Sequence, residues 1–217
     1  MPAPPDSLDR PSTWWARGGK RAFDAVGAAI ALVALAPVIL LTLLAVKLTS
    51  RGPLLFSQIR VGRNGTEFRL YKFRSMRADR TPDPKELVPL SHPDITTVGR
   101  VIRRLRIDEL PQLVDVMAGR MSLVGPRPTL PDQVAGYDAF QRRRLDVRPG
   151  LTGLAQVNGN TLIDWRERIQ YDVFYVDHMS MGLDLAILGR TVAMLILGDR
   201  RFARPFQDSP YARSAHP

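Results

Sequence analysis

The feature that most constrains the fold is an uninterrupted apolar run near the N-terminus. Residues 25–46 read AVGAAIALVALAPVILLTLLAV and carry no charge, between Asp24 and Lys47. As a helix this run is about 33 Å long, close to the roughly 30 Å hydrocarbon core of a bilayer. A cleaved signal peptide fits poorly, because the polar leader is long and no small-residue cleavage site follows. We therefore predict a membrane helix within residues 14–49; a buried helix of a soluble core is the alternative.

Basic residues flank the run on both sides. Four precede it and four follow it: Arg10, Arg17, Lys20 and Arg21, then Lys47, Arg51, Arg60 and Arg63. The positive-inside rule draws both ends to the cytoplasmic face. Pro37, preceded by Ala36, removes one helical hydrogen bond near the middle and favours a bend. These features predict a re-entrant helix broken at Ala36 and Pro37, with a single span as the open alternative. Trp14 and Trp15 are expected to anchor it in the interface.

Charge and residue content narrow the function classes. The chain has 31 Lys+Arg against 21 Asp+Glu, a formal net charge of +10, which predicts an anionic partner such as nucleic acid, acidic lipid or a phosphorylated substrate. It has no cysteine, which excludes a thiol nucleophile and cysteine-based metal sites. The three histidines are scattered, so no local histidine ligand motif is present.

The remaining sequence predicts an α+β, mostly helical globule. Residues 53–76 alternate apolar and polar positions around Asn64 and Gly65, a pattern typical of a β-hairpin. Residues 78–93 contain four prolines and are expected to form an irregular loop. Residues 182–198 are too short and too charged for a comfortable span and are expected to lie in the interface or on the core. We assign residues 50–198 to a cytosolic catalytic domain, and residues 1–13 and 199–217 to flexible ends.

The stretch RRLRIDELPQL, residues 103–113, places two carboxylates after three arginines. Asp108 is predicted to be the N-cap of a helix with Glu109 in its first turn. Its buried stripe would be formed by residues at helical spacing: Leu110, Leu113, Val114 and Met117. The helix dipole and the arginines would lower the pKa of both carboxylates. Ordinary helix capping explains the same pair without any function.

Two further stretches fit phosphate recognition. In MSLVGPRPTLP, Pro126 and Pro128 fix the backbone on either side of Arg127, which presents one guanidinium from a stiff turn. In RPGLTGLAQVNGN, residues 148–160, three glycines allow close backbone approach to a ligand. Neither the phosphate loop of NTPases nor the dinucleotide fingerprint is present.

In order, KRAFD, SRGPLLFSQIRVGRNGTEF, YKFRSM, DELPQL, MSLVGPRP, RPGLTGLAQVNG and YDVFYV resemble the motifs of the bacterial sugar transferases, the monotopic phosphoglycosyl transferases. The resemblance covers roughly residues 20 to 198. It implies a re-entrant membrane helix carrying a cytosolic globule with amphipathic interfacial helices, at the cytoplasmic face of the bacterial inner membrane.

The resemblance also implies a reaction and its residues. Asp108 would attack the β-phosphate of a UDP-sugar and expel UMP, and polyprenol (undecaprenyl) phosphate would then take the phosphosugar. Glu109 would ligate Mg²⁺, and three basic residues would hold phosphates: Lys72, Arg103 and Arg127. The implied partners are the UDP-sugar donor, the polyprenol phosphate acceptor and membrane lipids, with no nucleic acid; a homodimer stays open. The products would feed exopolysaccharide, lipopolysaccharide or glycoprotein glycan assembly.

Several positions depart from the family pattern: Ala36 replaces a serine, Asp115 an asparagine, Arg120 an aspartate and Asn160 an arginine expected to help hold the substrate. Asn160 motivates one alternative, a catalytically inactive scaffold. The other alternative is a basic, membrane-anchored binding protein. Few aromatic residues lie between its arginines, so it is less suited to binding nucleic acid.

Overall fold

The structure is a computed structural model that describes residues 14–77 and 88–214. The predictions for residues 1–13 and 78–87 lie outside the described residues. The predicted α+β, mostly helical class is confirmed. The α-helices of the described part are α1 (Lys20–Thr49), α2 (Thr97–Arg104), α3 (Leu113–Met117), α4 (Pro131–Ala135), α5 (Ala139–Arg142), α6 (Trp165–His178), α7 (Met181–Leu197) and α8 (Pro210–Ser214). The strands are β1 (Leu55–Val61), β2 (Glu67–Phe73), β3 (Ser122–Val124) and β4 (Gly150–Thr152).

The predicted β-hairpin is present. Strand β1 pairs antiparallel with β2, with Leu55 opposite Phe73 and Val61 opposite Glu67. The connection turns at Asn64 and Gly65, whose φ angles are 56° and 78°. Asparagine and glycine tolerate this left-handed backbone better than other residues, which is why the pair directs the chain into a turn here.

A second, parallel pairing joins β3 to β4 and brings two loops together. Ser122 lies opposite Gly150 and Val124 opposite Thr152. A Cβ atom at Gly150 would lie 2.1 Å from the backbone nitrogen of Gly125, so this close approach requires glycine. The pairing therefore places the turn that contains Arg127 next to the loop that begins at Arg148.

Helix α1 is the one helix of the described residues long and apolar enough to cross a membrane; its most apolar window has a mean hydropathy of 2.8 and is only 11% buried. It stays helical through Ala36 and Pro37. One stripe of α1 nevertheless packs on the globule along most of its length: Ala28, Ala31, Leu32, Ile39, Leu43 and Val46. The helix therefore contacts the globule near both of its ends, and the choice between a re-entrant helix and a single span stays a prediction.

A buried polar network fastens the start of α1. The Lys20 ammonium lies 2.7 Å from Oδ2 of Asp184 on α7 and 3.6 Å from Asp24 Oδ1. Trp15 donates its indole N–H to Asp184, and Tyr175 donates its hydroxyl to the same carboxylate. Trp14 is exposed, as expected of an interfacial anchor, but Trp15 is buried and bound to Asp184. The prediction that Trp15 is an interfacial anchor is therefore wrong.

We expect Asp24→Ala to lower the free energy of unfolding by about 2 to 4 kcal/mol, because it leaves buried partners unsatisfied. Asp24 is fully buried and accepts hydrogen bonds from the Ser122 hydroxyl (2.8 Å) and the Leu123 amide (3.1 Å). Thermal unfolding in detergent measures the effect. Asp132→Ala, at an exposed position of α4, is the control and should change stability by less than about 0.5 kcal/mol. Equal effects of the two substitutions would contradict the prediction.

Part of the C-terminal segment that was predicted to form a flexible tail is instead packed on the globule, as far as Tyr211. The main core is built from β3, α6 and α7, and Phe202, Phe206 and Tyr211 pack against it. Tyr171 donates its hydroxyl to the carbonyl of Arg204, 3.0 Å away. Aromatic contacts to α6 therefore hold this segment on the globule. These contacts could not be predicted from the charge of the segment.

Candidate active site

The segment with the two carboxylates is a 3₁₀ helix, Ile107–Gln112, followed directly by α3. Its N-cap is Arg106, in the left-handed conformation with φ 55°, and not Asp108 as the sequence predicted. The tighter helix also changes the buried face. Leu113 is buried, whereas Val114 and Met117, predicted to be buried, are about half exposed. The left-handed turn at Arg106 points Asp108 and Glu109 into the protein, where both are buried.

Glu109 is held between two cations. Its Oε1 atom lies 2.6 Å from Lys72 Nζ and 2.6 Å from Arg127 Nη2, and Arg127 Nη1 donates to Oε2 at 3.4 Å. Burial alone would raise the pKa of Glu109, but the charges and hydrogen bonds of Arg127 and Lys72 outweigh it and hold the pKa well below its usual value. Glu109 is therefore a permanent anion that orients Lys72 and Arg127.

Asp108 has the opposite electrostatic character. Burial, followed by repulsion from Glu109, raises its pKa from 3.8 to about 6, although Lys72, Arg103 and Arg127 act against the increase. The prediction that both carboxylates have lowered pKa values is thus correct in direction for Glu109 and wrong for Asp108. Among the described residues no side chain donates a hydrogen bond to Asp108. It is a partly desolvated anion at neutral pH, the state that suits a nucleophile.

The cations around the carboxylates come from separate parts of the fold. Lys72 is on β2, Arg103 is on α2, and Arg127 is in the turn after β3. Arg103 is close enough to Asp108 to lower its pKa and donates a hydrogen bond to the Val88 carbonyl at 3.0 Å. The structure therefore brings all five residues predicted for the site into one cluster.

Arg60 on β1 belongs to the same cluster, although in the sequence it stood out only as one of the basic residues that follow the apolar run. Its pKa is lowered to about 10 by burial and by Arg127, with Glu109 opposing. It donates to the Pro128 carbonyl and to Gln58 Oε1. The register places Phe56 opposite Lys72 and Arg60 opposite Phe68, so Arg60 and Lys72 share one face of the hairpin. That alternation was the signal in the sequence that could have identified Arg60.

A buried arginine supports the Arg127 turn from behind. Arg144 donates to the backbone carbonyl of Arg127 at 3.0 Å, to the Tyr137 hydroxyl at 2.6 Å and to Asp172 at 2.5 Å. Tyr137 in turn donates to the Thr129 hydroxyl at 2.9 Å. This network fixes the backbone that presents the Arg127 guanidinium. No sequence signal indicated it, because Arg144 is one of three consecutive arginines in a segment that looks simply basic.

Two of the departures from the family pattern compensate each other. Arg120 donates through Nε to Asp115 Oδ1 at 2.7 Å, and its Nη2 lies 2.7 Å from the same oxygen. The two substitutions thus form an ion pair across the turn after α3. Asn160 follows Gly159 in a left-handed conformation with φ 47°.

Comparison with known proteins gives consistent matches. The sequence profile of the bacterial sugar transferases matches residues 15–198. The chain is 44% identical to the sugar transferase EpsL of Bacillus subtilis (strain 168), over 83% of this chain and 88% of that protein. It is 42% identical to the undecaprenyl-phosphate glucose phosphotransferase of Komagataeibacter xylinus, over 89% of this chain but only 38% of the longer relative. It is 40% identical to the UDP-N-acetylgalactosamine-undecaprenyl-phosphate N-acetylgalactosaminephosphotransferase of Aeromonas hydrophila, over 82% and 44% of the two chains. The chain therefore belongs to the bacterial sugar transferase family.

Proposed function

We propose that this protein transfers a sugar 1-phosphate from a UDP-sugar to undecaprenyl phosphate, through a covalent intermediate on Asp108. The observation that carries the proposal is the pairing of two unlike carboxylates. Glu109 is neutralised by Lys72 and Arg127, whereas Asp108 is buried, has no hydrogen-bond donor among the described residues and has a raised pKa. A carboxylate in this state is more nucleophilic than one that is hydrogen-bonded or solvated.

The reaction proceeds in two displacements at one phosphorus atom. An oxygen of Asp108 attacks the β-phosphorus of the UDP-sugar, a new O–P bond forms, and the bond to the α-phosphate oxygen breaks so that UMP leaves. The acceptor's phosphate oxygen then attacks the same phosphorus, forms the polyprenyl diphosphate sugar and releases the Asp108 carboxylate. Each step exchanges one P–O bond for another, so no oxidant or external base is required.

The four cations balance the negative charge that these steps bring together. Diphosphate, a second phosphate and two carboxylates meet in a partly buried cluster, where unshielded repulsion would be large. Arg127 and Lys72 are preorganised by Glu109, and Arg60 and Arg103 border the same cluster. Fixed charges of this kind stabilise the charge that develops on the equatorial oxygens in the transition state without any reorganisation cost.

A magnesium ion held by Glu109 would extend this charge balance. Among residues 14–77 and 88–214 no cluster of three or more acidic or histidine side chains is present. Among the described residues, Glu109 Oε2 makes only the 3.4 Å contact to Arg127, so it keeps capacity for a cation. Magnesium often takes one or two carboxylates and completes its shell with substrate phosphates and water. Glu109, next to Asp108, would hold the ion, which would add to the neutralisation of the diphosphate.

The membrane explains how a polyprenol phosphate reaches this site. Helix α1 exposes large apolar side chains, among them Val33 and Leu48, and α7 exposes others, among them Val192 and Ile196. Inserted into one leaflet, α1 would hold the globule at the bilayer surface, at the depth where a lipid-linked phosphate lies. We assign the protein to the cytoplasmic face of the inner membrane, where the basic flanks of α1 are favoured.

The test is the identity of the released nucleotide. The detergent-solubilised full chain is supplied with Mg²⁺, undecaprenyl phosphate and a panel that includes UDP-glucose, UDP-galactose and UDP-N-acetylgalactosamine. We expect UMP and a lipid-linked phosphosugar from one donor. Release of UDP would mean plain glycosyl transfer and would overturn the mechanism. No turnover with any sugar nucleotide by folded protein would favour the scaffold or binding alternatives.

We expect the rate of the first displacement to depend on pH with a midpoint near the Asp108 pKa of about 6. The attacking form is the anion, so the rate should rise about tenfold per pH unit below the midpoint and level off above it. The measurement is the rate of UMP release in the burst at subsaturating donor, between pH 5 and 8, because that rate reports the free enzyme. Acceptor is left out, because its phosphate monoester also titrates near pH 6. A flat profile down to pH 5 would contradict the raised pKa.

A further inference from the structure

A second cationic cavity lies beside the start of α1, and none of the catalytic carboxylates or their cations lines it. The cavity has a volume of about 170 Å³ and is bordered by α1, the end of α6 and the loop before β4. One water molecule needs roughly 10 to 15 Å³ on this measure, so the cavity has room for a small anionic group with its hydration.

Three arginines line this cavity without forming an ion pair within the described residues. Arg21 donates its hydrogen bonds to two backbone carbonyls of α3, Arg63 donates to the carbonyl of Asp146, and the third is Arg148. Carbonyl dipoles orient a guanidinium but do not cancel its charge. Lys20 also lines the cavity but is paired with Asp184, so the charge of the lining rests on the three arginines against one carboxylate, that of Asp146. The cavity thus keeps an excess of positive charge.

Arg148 provides the strongest indication that the cavity binds an anion. Its Nε atom is buried, and no described residue accepts a hydrogen bond from that atom. Burial lowers the pKa of Arg148, Asp24 opposes this effect, and the charges of Arg21 and Arg63 lower the pKa further. A buried donor left unsatisfied costs free energy, and like charges held together cost more. An anion in the cavity would relieve both.

The remaining lining indicates where that anion comes from. Trp15, Val176 and Met179 form an apolar wall. Lys20 also borders the cavity and is the first residue of the apolar helix α1, so the cavity lies beside the start of that helix. A phosphate flanked by glycerol and acyl chains matches a cavity that has basic residues on one side and apolar residues on the other. A soluble anion would contact only the basic residues.

We propose that this cavity binds the headgroup phosphate of an anionic membrane phospholipid, with Arg148 as its central hydrogen-bond donor and Arg21 and Arg63 as flanking charges. The bound lipid would fasten the start of α1 to the bilayer surface at a fixed depth. The site is separate from the proposed transfer reaction and does not depend on it.

Native mass spectrometry of the full chain, delipidated in non-ionic detergent, tests the proposal. Phosphatidylglycerol and phosphatidylcholine are added in turn at equal concentrations. The wild type should retain one phosphatidylglycerol in preference to phosphatidylcholine. Arg148→Gln should weaken that binding on the order of tenfold, the effect of losing one charge-assisted hydrogen bond. Arg148→Lys, which keeps the charge, should weaken it less.

The control is Arg142→Gln, which removes the same charge from an exposed position of α5 outside the cavity. It should bind phosphatidylglycerol as the wild type does; an equal loss in both variants would show general electrostatic attraction and overturn the site. Arg63→Gln, at an exposed position, covers the case in which Arg148→Gln misfolds and should weaken binding measurably. If millimolar inorganic phosphate binds and phosphatidylglycerol shows no preference over phosphatidylcholine, the cavity takes soluble phosphate and the lipid assignment is wrong.

Discussion

Asp108→Asn is expected to abolish sugar-phosphate transfer and at the same time to stabilise the fold. Loss of the attacking carboxylate should lower the rate of UMP release by at least about a thousandfold, since removal of a covalent nucleophile is among the largest single effects in enzymes. Asparagine keeps the shape of the side chain, so donor binding should persist. No phosphorylated protein should accumulate when acceptor is withheld, whereas the wild type should be labelled by a donor that carries ³²P in its β-phosphate.

The stabilisation follows from the raised pKa. Well below pH 3.8 the Asp108 carboxyl is neutral in both the folded and the unfolded chain, and it costs no stability. As the pH rises to about 6, the unfolded chain releases the proton while the folded protein keeps it, so folding loses free energy. Above pH 6 the loss is constant, on the order of 2 kcal/mol. At pH 7.5 Asp108→Asn should therefore unfold about 4 to 8 °C above the wild type.

Thermal unfolding at pH 4 and pH 7.5 separates this effect from general changes in packing. The advantage of Asp108→Asn should shrink at the lower pH, where Asp108 is protonated in the folded protein. Asp132→Asn is the control, because Asp132 lies at the surface of α4 and should show little effect at either pH. A variant that is inactive but less stable than the wild type at pH 7.5 would mean that the carboxylate is well solvated, contrary to the structure.

The large elements of this fold could be predicted because each rests on a local pattern. The apolar run determines α1, and the Asn64–Gly65 turn determines the hairpin and hence the face that carries Lys72. The C-terminal segment could not be predicted in the same way. Its position depends on Phe206 and Tyr211 meeting aromatic residues of α6, and contacts between distant residues leave no periodic signal.

The residues that cluster at the candidate site could likewise be predicted, but the difference in pKa between its two carboxylates could not. The order of the motifs identified Asp108, Glu109 and three cations. The sequence alone predicts a lowered pKa for both carboxylates, because it does not distinguish how close the arginines lie to each of them. In the fold, Glu109 takes the hydrogen bonds of Lys72 and Arg127, which leaves Asp108 with burial and a neighbouring negative charge. One backbone feature, the left-handed Arg106, separates these environments, and no propensity of arginine predicts it.

Glu109→Gln is expected to have the opposite effect on stability from Asp108→Asn, although the two positions are adjacent. The introduced amide could accept a hydrogen bond but would not neutralise Lys72 and Arg127, so the cluster would hold partly buried, uncompensated cations. Breaking such a pair from one side costs about 3 to 5 kcal/mol. The pKa of Glu109 is held low in the folded protein, so its contribution is present above the ordinary value of 4.5 and lost as the pH falls below it. The deficit of Glu109→Gln should therefore be full at pH 7.5 and should shrink in acid.

A double-mutant cycle tests whether Glu109 acts through its cations. Lys72→Met removes one of the charges that Glu109→Gln leaves unpaired, so the double variant should regain part of the lost stability. Transfer activity should not return in the double variant, because it lacks both the carboxylate that holds the Arg127 guanidinium and the Lys72 charge. We expect a loss of at least about a hundredfold in the double variant and in each single variant. Additive losses of stability in the cycle would show that Glu109 and Lys72 do not interact, and would remove the electrostatic distinction between Glu109 and Asp108 on which the assignment of the nucleophile rests.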